Sequence, residues 1–487
     1  MAGNRYRVFG AQYARRVKAW CAHSWSRGLF VALCVLGTLH DATHKGGYAE
    51  TIPVVAGAAR QSVALVLSYG GTEDEEDGEG AMIALGNIVV KNMGLDGRLD
   101  VRIFYRSLRD VPDYGWWREN DIDIVMHGAM HAHHGRLTLS LRFWDVDTER
   151  YLGGNRYQAR RYALSKLAHF VSDDLYHMAL GRKSDFPTRI AYIAEFGAGR
   201  TGEIRRWLAV MDVNGGNHRF IARWHDNTSF PLFLGDSEEL LYVLAQGHSM
   251  RFFVFDLSTG RHEYIDMVEG RHAPFIWVDS HTSLVMGAMV DGKEDIMMFH
   301  LKTGQRMALT DDTATDWSPT LYGRGDRVAF LSDRGGVTAL YTVPLPEAWR
   351  DGAQDPQDNI VPLPHQPVRP YDMIVHAPHR DGFFAFYRHM GSDGAGAEGT
   401  GTEGEMGTFD SMTGKETIVL RGDIAPHIGW APSGCCLLYA ERGELQQGQQ
   451  RKMYRLKVLD IDTQQGFPLT IPFHGRYAVW SPFMTLE

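Results

Sequence analysis

The densest cluster of chemistry-bearing side chains is "MHGAMHAHHG" (Met126 to Gly135), which carries His127, His131, His133 and His134. Imidazole is the commonest metal ligand. If the stretch is a strand, alternation puts His127, Ala129, His131 and His133 on one face and Met126, Gly128 and Met130 on the other. His131 and His133 are close enough to share an ion. No carboxylate or cysteine is interleaved at ligand spacing, so the expected reading is a solvated strand face with no metal. "TEDEEDGEG" (Thr72 to Gly80) lacks the alternating D-x-D-x-D-G order of a calcium loop and reads as a solvated acidic loop. Ser249, in "GHSMR", lacks the G-x-S-x-G frame of a nucleophile elbow. Arg324-Gly325-Asp326 and Arg421-Gly422-Asp423 spell a known adhesion tripeptide, but Gly and Asp are also turn residues. No catalytic residue and no cofactor are expected.

Composition narrows the class. The 487 residues are 44% hydrophobic and 22% charged, as in ordinary folded proteins. Basic residues Arg5, Arg7, Arg15, Arg16, Lys18 and Arg27 precede the apolar run "LFVALCVLGTL" (Leu29 to Leu39), which suits a secretory leader. Gly47 and Ala49 are small residues at −3 and −1 of a cut after Ala49. Residues 1–49 are therefore expected to be a cleaved leader, with an uncleaved anchor as the alternative. Their removal takes seven Lys/Arg and one Asp from totals of 50 and 59, leaving a net charge of −15. So acidic a chain is a poor candidate for nucleic acid, whose affinity rests on phosphate neutralisation. Cys435 and Cys436 then remain; adjacent cysteines in a strand point to opposite faces, so no disulfide framework is expected.

These residues must be positioned by two kinds of structure. Over residues 50–186 strands and helices mix: "SVALVLSY" (Ser62 to Tyr69) reads as a buried strand, and Met82, Leu85, Val89 and Met93 recur at helical spacing. Asp121 to Met130 and Arg136 to Val146 alternate as strands joined at His134-Gly135. Leu164, Leu167, Val171, Leu175 and Met178 mark a helix closed by Gly181. Over residues 187–487 a repeat takes over. Apolar strand cores at Leu240, Leu284 and Val328 stand 44 residues apart, and so do the turn phrases at Asp212 ("DVNGG"), Asp256 ("DLSTG") and His300 ("HLKTG"). Related phrases begin at Asp410 and Asp460. Six such all-strand units predict a six-bladed β-propeller after an α/β domain. Insertions are expected near 344–370, which is Pro-rich, and at 391–407, which is Gly/Glu-rich and expected to be disordered.

The blade phrases resemble those of the TolB family. Trp430-Ala431-Pro432-Ser433-Gly434 before "LLY" is similar to its W-S-P-D-G phrase, as is "YAVWSPF" (Tyr477 to Phe483) to its terminal segment, and "FPTRIAYIAEF" (Phe186 to Phe196) to its approach to the first blade. "GYAETIPVV" (Gly47 to Val55) resembles its leader junction. The resemblance implies a periplasmic, non-enzymatic scaffold of a Tol-Pal-like system, acting in envelope integrity and cell division as a monomer. It implies a propeller face for the peptidoglycan-associated lipoprotein Pal, carried here by Arg271, His272, Ala273 and Pro274 ("RHAPF") and, in the next unit, by Asp316, Trp317 and Ser318. A second, TolA-like inner-membrane partner would meet Glu50, Thr51, Ile52, Pro53 and Val54. Trp317 is open to both blade packing and partner contact. The alternatives are a propeller binding a small ligand such as a sugar, or an enzyme without a recognisable motif. Trp480 to Thr485 is expected to complete the blade begun by Arg189 to Ala194.

Overall fold

The computed structural model describes residues 61–486 apart from 71–75, 107–110, 197–204, 223–227, 236–237, 247–248, 270–274, 278–282, 347–355, 391–402, 444–452, 470 and 472. The leader, its cut at Ala49 and Glu50 to Val54 lie outside the described residues. Residues 52–487 form one compact unit.

The α/β part is built on β1 (Gln61–Tyr69), flanked in parallel by β2 (Leu99–Tyr105) and β3 (Ile124–His133). β3 pairs antiparallel with β4 (Arg136–Asp145), which carries β5 (Arg150–Gly153) and β6 (Arg156–Arg160). Val63, Leu65 and Leu67 face one core, with Leu85 and Val89 of α1 (Glu76–Met93) and Val171 and Leu175 of α3 (Leu164–Leu180). Ala64 and Val66 face a second core around Trp117, from the short α2 (Tyr114–Glu119), with Val125 and Trp144. Burial on both faces explains why β1 reads as a continuous apolar run. The β3–β4 turn is the two-residue kind with both φ positive, 49° at His134 and 72° at Gly135, which matches the strand twist. Gly181 closes α3 at φ 69°.

Six four-stranded antiparallel sheets follow. Blades 2 to 6 run in sequence from inner to outer strand, beginning at Thr228, Phe275, Asp316, Met373 and Ile424. In blade 1 the inner strand is the C-terminal His474–Trp480, paired with Arg189–Phe196 near the propeller's start. The ring is thus closed by hydrogen bonds between its two chain ends, which removes open sheet edges. The closing strand lies upstream of the expected Trp480 to Thr485. Tyr477, at φ 52°, sits in a bulge between Arg476 and Val479. Beyond Trp480 the chain is held by Ser481 instead, whose N–H reaches Arg189 O at 2.8 Å and whose Oγ accepts from Arg189 N at 2.8 Å.

The 44-residue landmark is the turn between third and outer strands. Asp256 Oδ1 accepts from the N–H groups of Ser258 and Thr259 (2.8 and 3.0 Å), and Asp410 Oδ1 from Met412 and Thr413 (2.9 and 3.2 Å). In blade 3 His300 Nδ1 takes that place, accepting from Thr303 N at 3.2 Å. The closing glycines 260, 304 and 414 lie at φ 72–73°. A side chain that mimics a backbone turn is why this phrase recurs at fixed spacing.

Three expectations need correction. Glu76 to Gly80, read as loop, are the first residues of α1. Gly404 to Gly407, read as the end of a disordered insertion, belong to the third strand of blade 5, Gly404–Asp410. Gly404 and Gly407 leave room there for the rings of Tyr387 and Phe386, and the charge of Glu405 is satisfied by arginines. His127 is buried, not solvated, with Nε2 2.9 Å from Ser68 Oγ; His131 is exposed, as expected, with Nδ1 2.6 Å from Gly70 O. Neither His127, His131 nor His133 belongs to a group of three metal-capable side chains among the described residues.

Candidate protein-binding face

The propeller has two chemically different ends. At one, the turns of blades 6, 1 and 2 dock the α/β part, and two landmark aspartates are recruited to do it. Asp212 Oδ2 accepts from His169 Nε2 (3.0 Å) and Ser165 Oγ (3.1 Å) of α3, and from its neighbour Asn217 (2.7 Å). Burial would push the Asp212 carboxyl up, but these hydrogen bonds, led by that of His169, hold it below its usual range. Asp460 Oδ2 takes Arg98 Nη2 at 2.6 Å and Arg182 Nη2 at 3.3 Å. Asn214 Nδ2 donates to Asn92 Oδ1 at 2.7 Å, and Asn92 Nδ2 donates to Ser172 Oγ at 2.8 Å. One apolar core runs through the junction, from Leu175 of α3 to Tyr192 and Leu438 of the blades.

The other end is where each outer strand passes to the next blade, and Asp316, Trp317 and Ser318 lie there. Arg271 to Pro274 lie outside the described residues; the strands they connect end at Glu269 and begin at Phe275. Asp316, Trp317 and Ser318 open the inner strand of the adjoining blade 4. Asp316 is fully buried and held in a fork by Arg334 Nη2 at 3.1 and 2.8 Å, while Arg334 Nη1 reaches Asp312 at 3.0 Å. Ser318, buried at φ 54°, accepts from Ile374 N at 2.9 Å and so stitches blade 4 to blade 5. Both are occupied by the fold. Trp317 is half-buried, with its indole N–H on Asp372 O at 3.2 Å and its ring against the apolar cluster between blades 4 and 5. Its packing role is thus visible, and part of its ring remains exposed.

Charge at this end was missed in the sequence. Glu405, with no exposure, accepts from Arg388 (3.0 and 2.6 Å), Arg369 (2.6 Å) and Arg421 (2.8 Å); Arg388 also reaches Glu416 at 3.0 Å. Arg369 and Arg421 have side chains 50% and 65% exposed. The missed signal was a direct cross-strand pair, Arg388 opposite Glu405, hidden by assigning Glu405 to an insertion. Lys293 pairs with Asp295 at 2.8 Å and lies 3.7 Å from Asp311. This end thus carries paired charges as well as a half-exposed tryptophan.

The tripeptides are fold chemistry. Arg324 to Asp326 fill the turn between the first two strands of blade 4, with Gly323 and Gly325 at φ 66° and 87°. Arg421 belongs to the Glu405 cluster, and Asp423 lies 3.7 Å from Arg442.

Residues 176–351 match the family model described as the TolB beta propeller domain. The crystal structure of TolB from Acinetobacter baumannii aligns over 89% of this chain and 99% of its own, at 19% identity and TM-score 0.65. A structure described as TolB from Agrobacterium tumefaciens covers 59% of this chain and 91% of its own (13% identity, TM-score 0.38). An oligogalacturonate lyase from Vibrio parahaemolyticus covers 63% and 83% (10% identity, TM-score 0.34). With an α/β domain docked on a ring-closed six-bladed propeller, the chain has the fold of TolB, and residues 176–351 within it are similar to that family's propeller domain.

Proposed function

We propose that the chain is an exported, non-enzymatic scaffold of a Tol-Pal-like system that holds a Pal-like peptidoglycan-associated lipoprotein on the propeller end bearing Trp317. The observation that supports it most is the opposition of the two ends. The α/β part is fixed on one by a continuous core and paired charges. The strand ends flanking Arg271 to Pro274, and half-exposed Trp317, stand at the other. Arg271, His272 and Trp317 make the partner contacts in this reading, while Asp316 and Ser318 hold Trp317 in place. Glu50 to Val54 form the second contact, for a TolA-like protein, and exchange between partners couples the envelope layers.

Calorimetric titration against a Pal domain from the same organism tests it. Micromolar or tighter binding, weakened at least tenfold in both His272→Ala and Trp317→Ala, is the expected result. Absence of binding by a cooperatively melting protein would refute it.

A further inference from the structure

The turn between the first two strands of blade 6 brings together three side chains that no other part of this reading uses. Cys435 ends the turn and Cys436 begins the strand Cys436–Arg442, with Gly434 at φ 75° just before them. Because Cys435 is in the turn, strand alternation does not separate the sulfurs as the sequence suggested. Both are free thiols. Asp185, from the linker between α3 and blade 1, is laid over this turn. Its Oδ1 accepts from Ser433 N at 2.9 Å and its Oδ2 from Ser433 Oγ at 2.7 Å, and Cys435 Sγ is 3.4 Å from Oδ2. One ligand atom each from Asp185, Cys435 and Cys436 lies within 4.8 Å of the other two, and among the described residues no other group of three does this. A cavity of about 340 Å³ adjoins Cys435, lined also by Arg182, Lys183, Arg380 and Ser433.

We propose that Asp185, Cys435 and Cys436 form a three-ligand site for a thiophilic divalent cation, with zinc as the reference ion, at the junction of the α/β part and blade 6. Two thiolates and a carboxylate are a donor set zinc accepts, and three protein ligands leave a fourth position for water from the adjoining cavity. Ser433 holds the carboxylate with two hydrogen bonds, the outer support that orients a ligand before the ion arrives. The three ligands bring −3 and zinc +2, and the remaining −1 lies beside the basic groups Arg182 and Lys183 that line the cavity, Arg182 also pairing with Asp460 at 3.3 Å. Each thiol gives up its proton on binding, so two protons leave to solvent for each ion taken up. The ion would tie the interdomain linker to the last blade, a connection carried in its absence by the Asp185–Ser433 bonds.

The test uses the full chain with Cys21→Ser and Cys34→Ser, kept reduced by a phosphine. Zinc titration should give one ion per chain with a dissociation constant at or below micromolar and release of two protons, read from the buffer dependence of the enthalpy. Cobalt(II) should give a near-ultraviolet thiolate charge-transfer band. Saturating zinc should raise the melting temperature by roughly 2–5 °C. Cys435→Ser, in a half-exposed turn position, should lower the band by at least half, and Asp185→Asn, which keeps one acceptor for Ser433, should weaken binding about 10–100-fold. Zinc uptake unchanged in a Cys435→Ser, Cys436→Ser variant would assign it to other ligands and overturn the proposal. So would binding no tighter than about 100 µM by a cooperatively melting protein.

Discussion

Replacing Glu405 by glutamine removes a charge without removing volume, and the structure says what that should cost. The carboxylate is completely buried among Arg388, Arg369 and Arg421. Glutamine keeps one acceptor oxygen but turns two N–H donors toward guanidinium donors. Breaking one partner of a buried ion pair costs about 3–5 kcal/mol. Arg369 and Arg421 are half or more exposed and can turn to water, and Arg388 retains Glu416 at 3.0 Å. Glu405→Gln should therefore destabilise by about 3 kcal/mol, at the lower end of that range. Arg421→Ala removes a largely exposed partner and should cost about 0.5 kcal/mol. Urea unfolding at unchanged m-value measures both. Burial pushes the Glu405 carboxyl up, but the hydrogen bond and charge of Arg388, with help from Arg421 and Arg369, pull it below its usual range. A depressed folded pKa means the stabilisation is present above the unfolded value near pH 4.3 and is lost as pH falls through the folded value. The difference between wild type and Glu405→Gln should accordingly shrink below about pH 4. A loss under about 1 kcal/mol at pH 7 would refute the assignment of Glu405 as the hub of this cluster.

Other expectations follow from the same geometry. Truncation after His474 removes nearly all of the ring-closing strand and should lower the melting temperature by roughly 10 °C or more; an unchanged melt would disprove closure. Asp212→Ala leaves the buried Nε2 of His169 without its partner at the docked end and should cost about 2–4 kcal/mol, with faster proteolysis between α3 and blade 1, whereas Asp256→Ala, in the equivalent exposed turn of blade 2, should cost about 1 kcal/mol or less. Burial lowers the pKa of His127 and of His427 to about 4 in each case. Both should therefore stay neutral by NMR at pH 5.5. Their contribution to stability, full above about pH 6.5, should drain away between about pH 6.5 and 4, and His127→Gln should flatten that decline.

What the sequence determined by itself is local and repetitive. The apolar run of β1, the positive-φ pair His134-Gly135 and the glycine stop of α3 each depend on a few neighbouring residues. The propeller was legible because one turn chemistry, an acceptor side chain bonding the N–H groups just after it, is repeated at 44-residue intervals. That repetition shows where blades are, but it is blind to what each copy touches. Only the tertiary structure decided that Asp212 and Asp460 dock the α/β part while Asp256 and Asp410 hold turns away from it, Asp410 also lying 3.6 Å from Arg380. It buried His127 and Glu405, placed Asp316 and Ser318 inside the fold and left Trp317 half-exposed at the face proposed for a partner. It also laid Asp185 across 250 residues of chain onto Cys435. The physical reason is the same in each case. A buried charge or polar group is tolerated only with a partner, and these partners come from segments far away in sequence, brought near only when the ring closes.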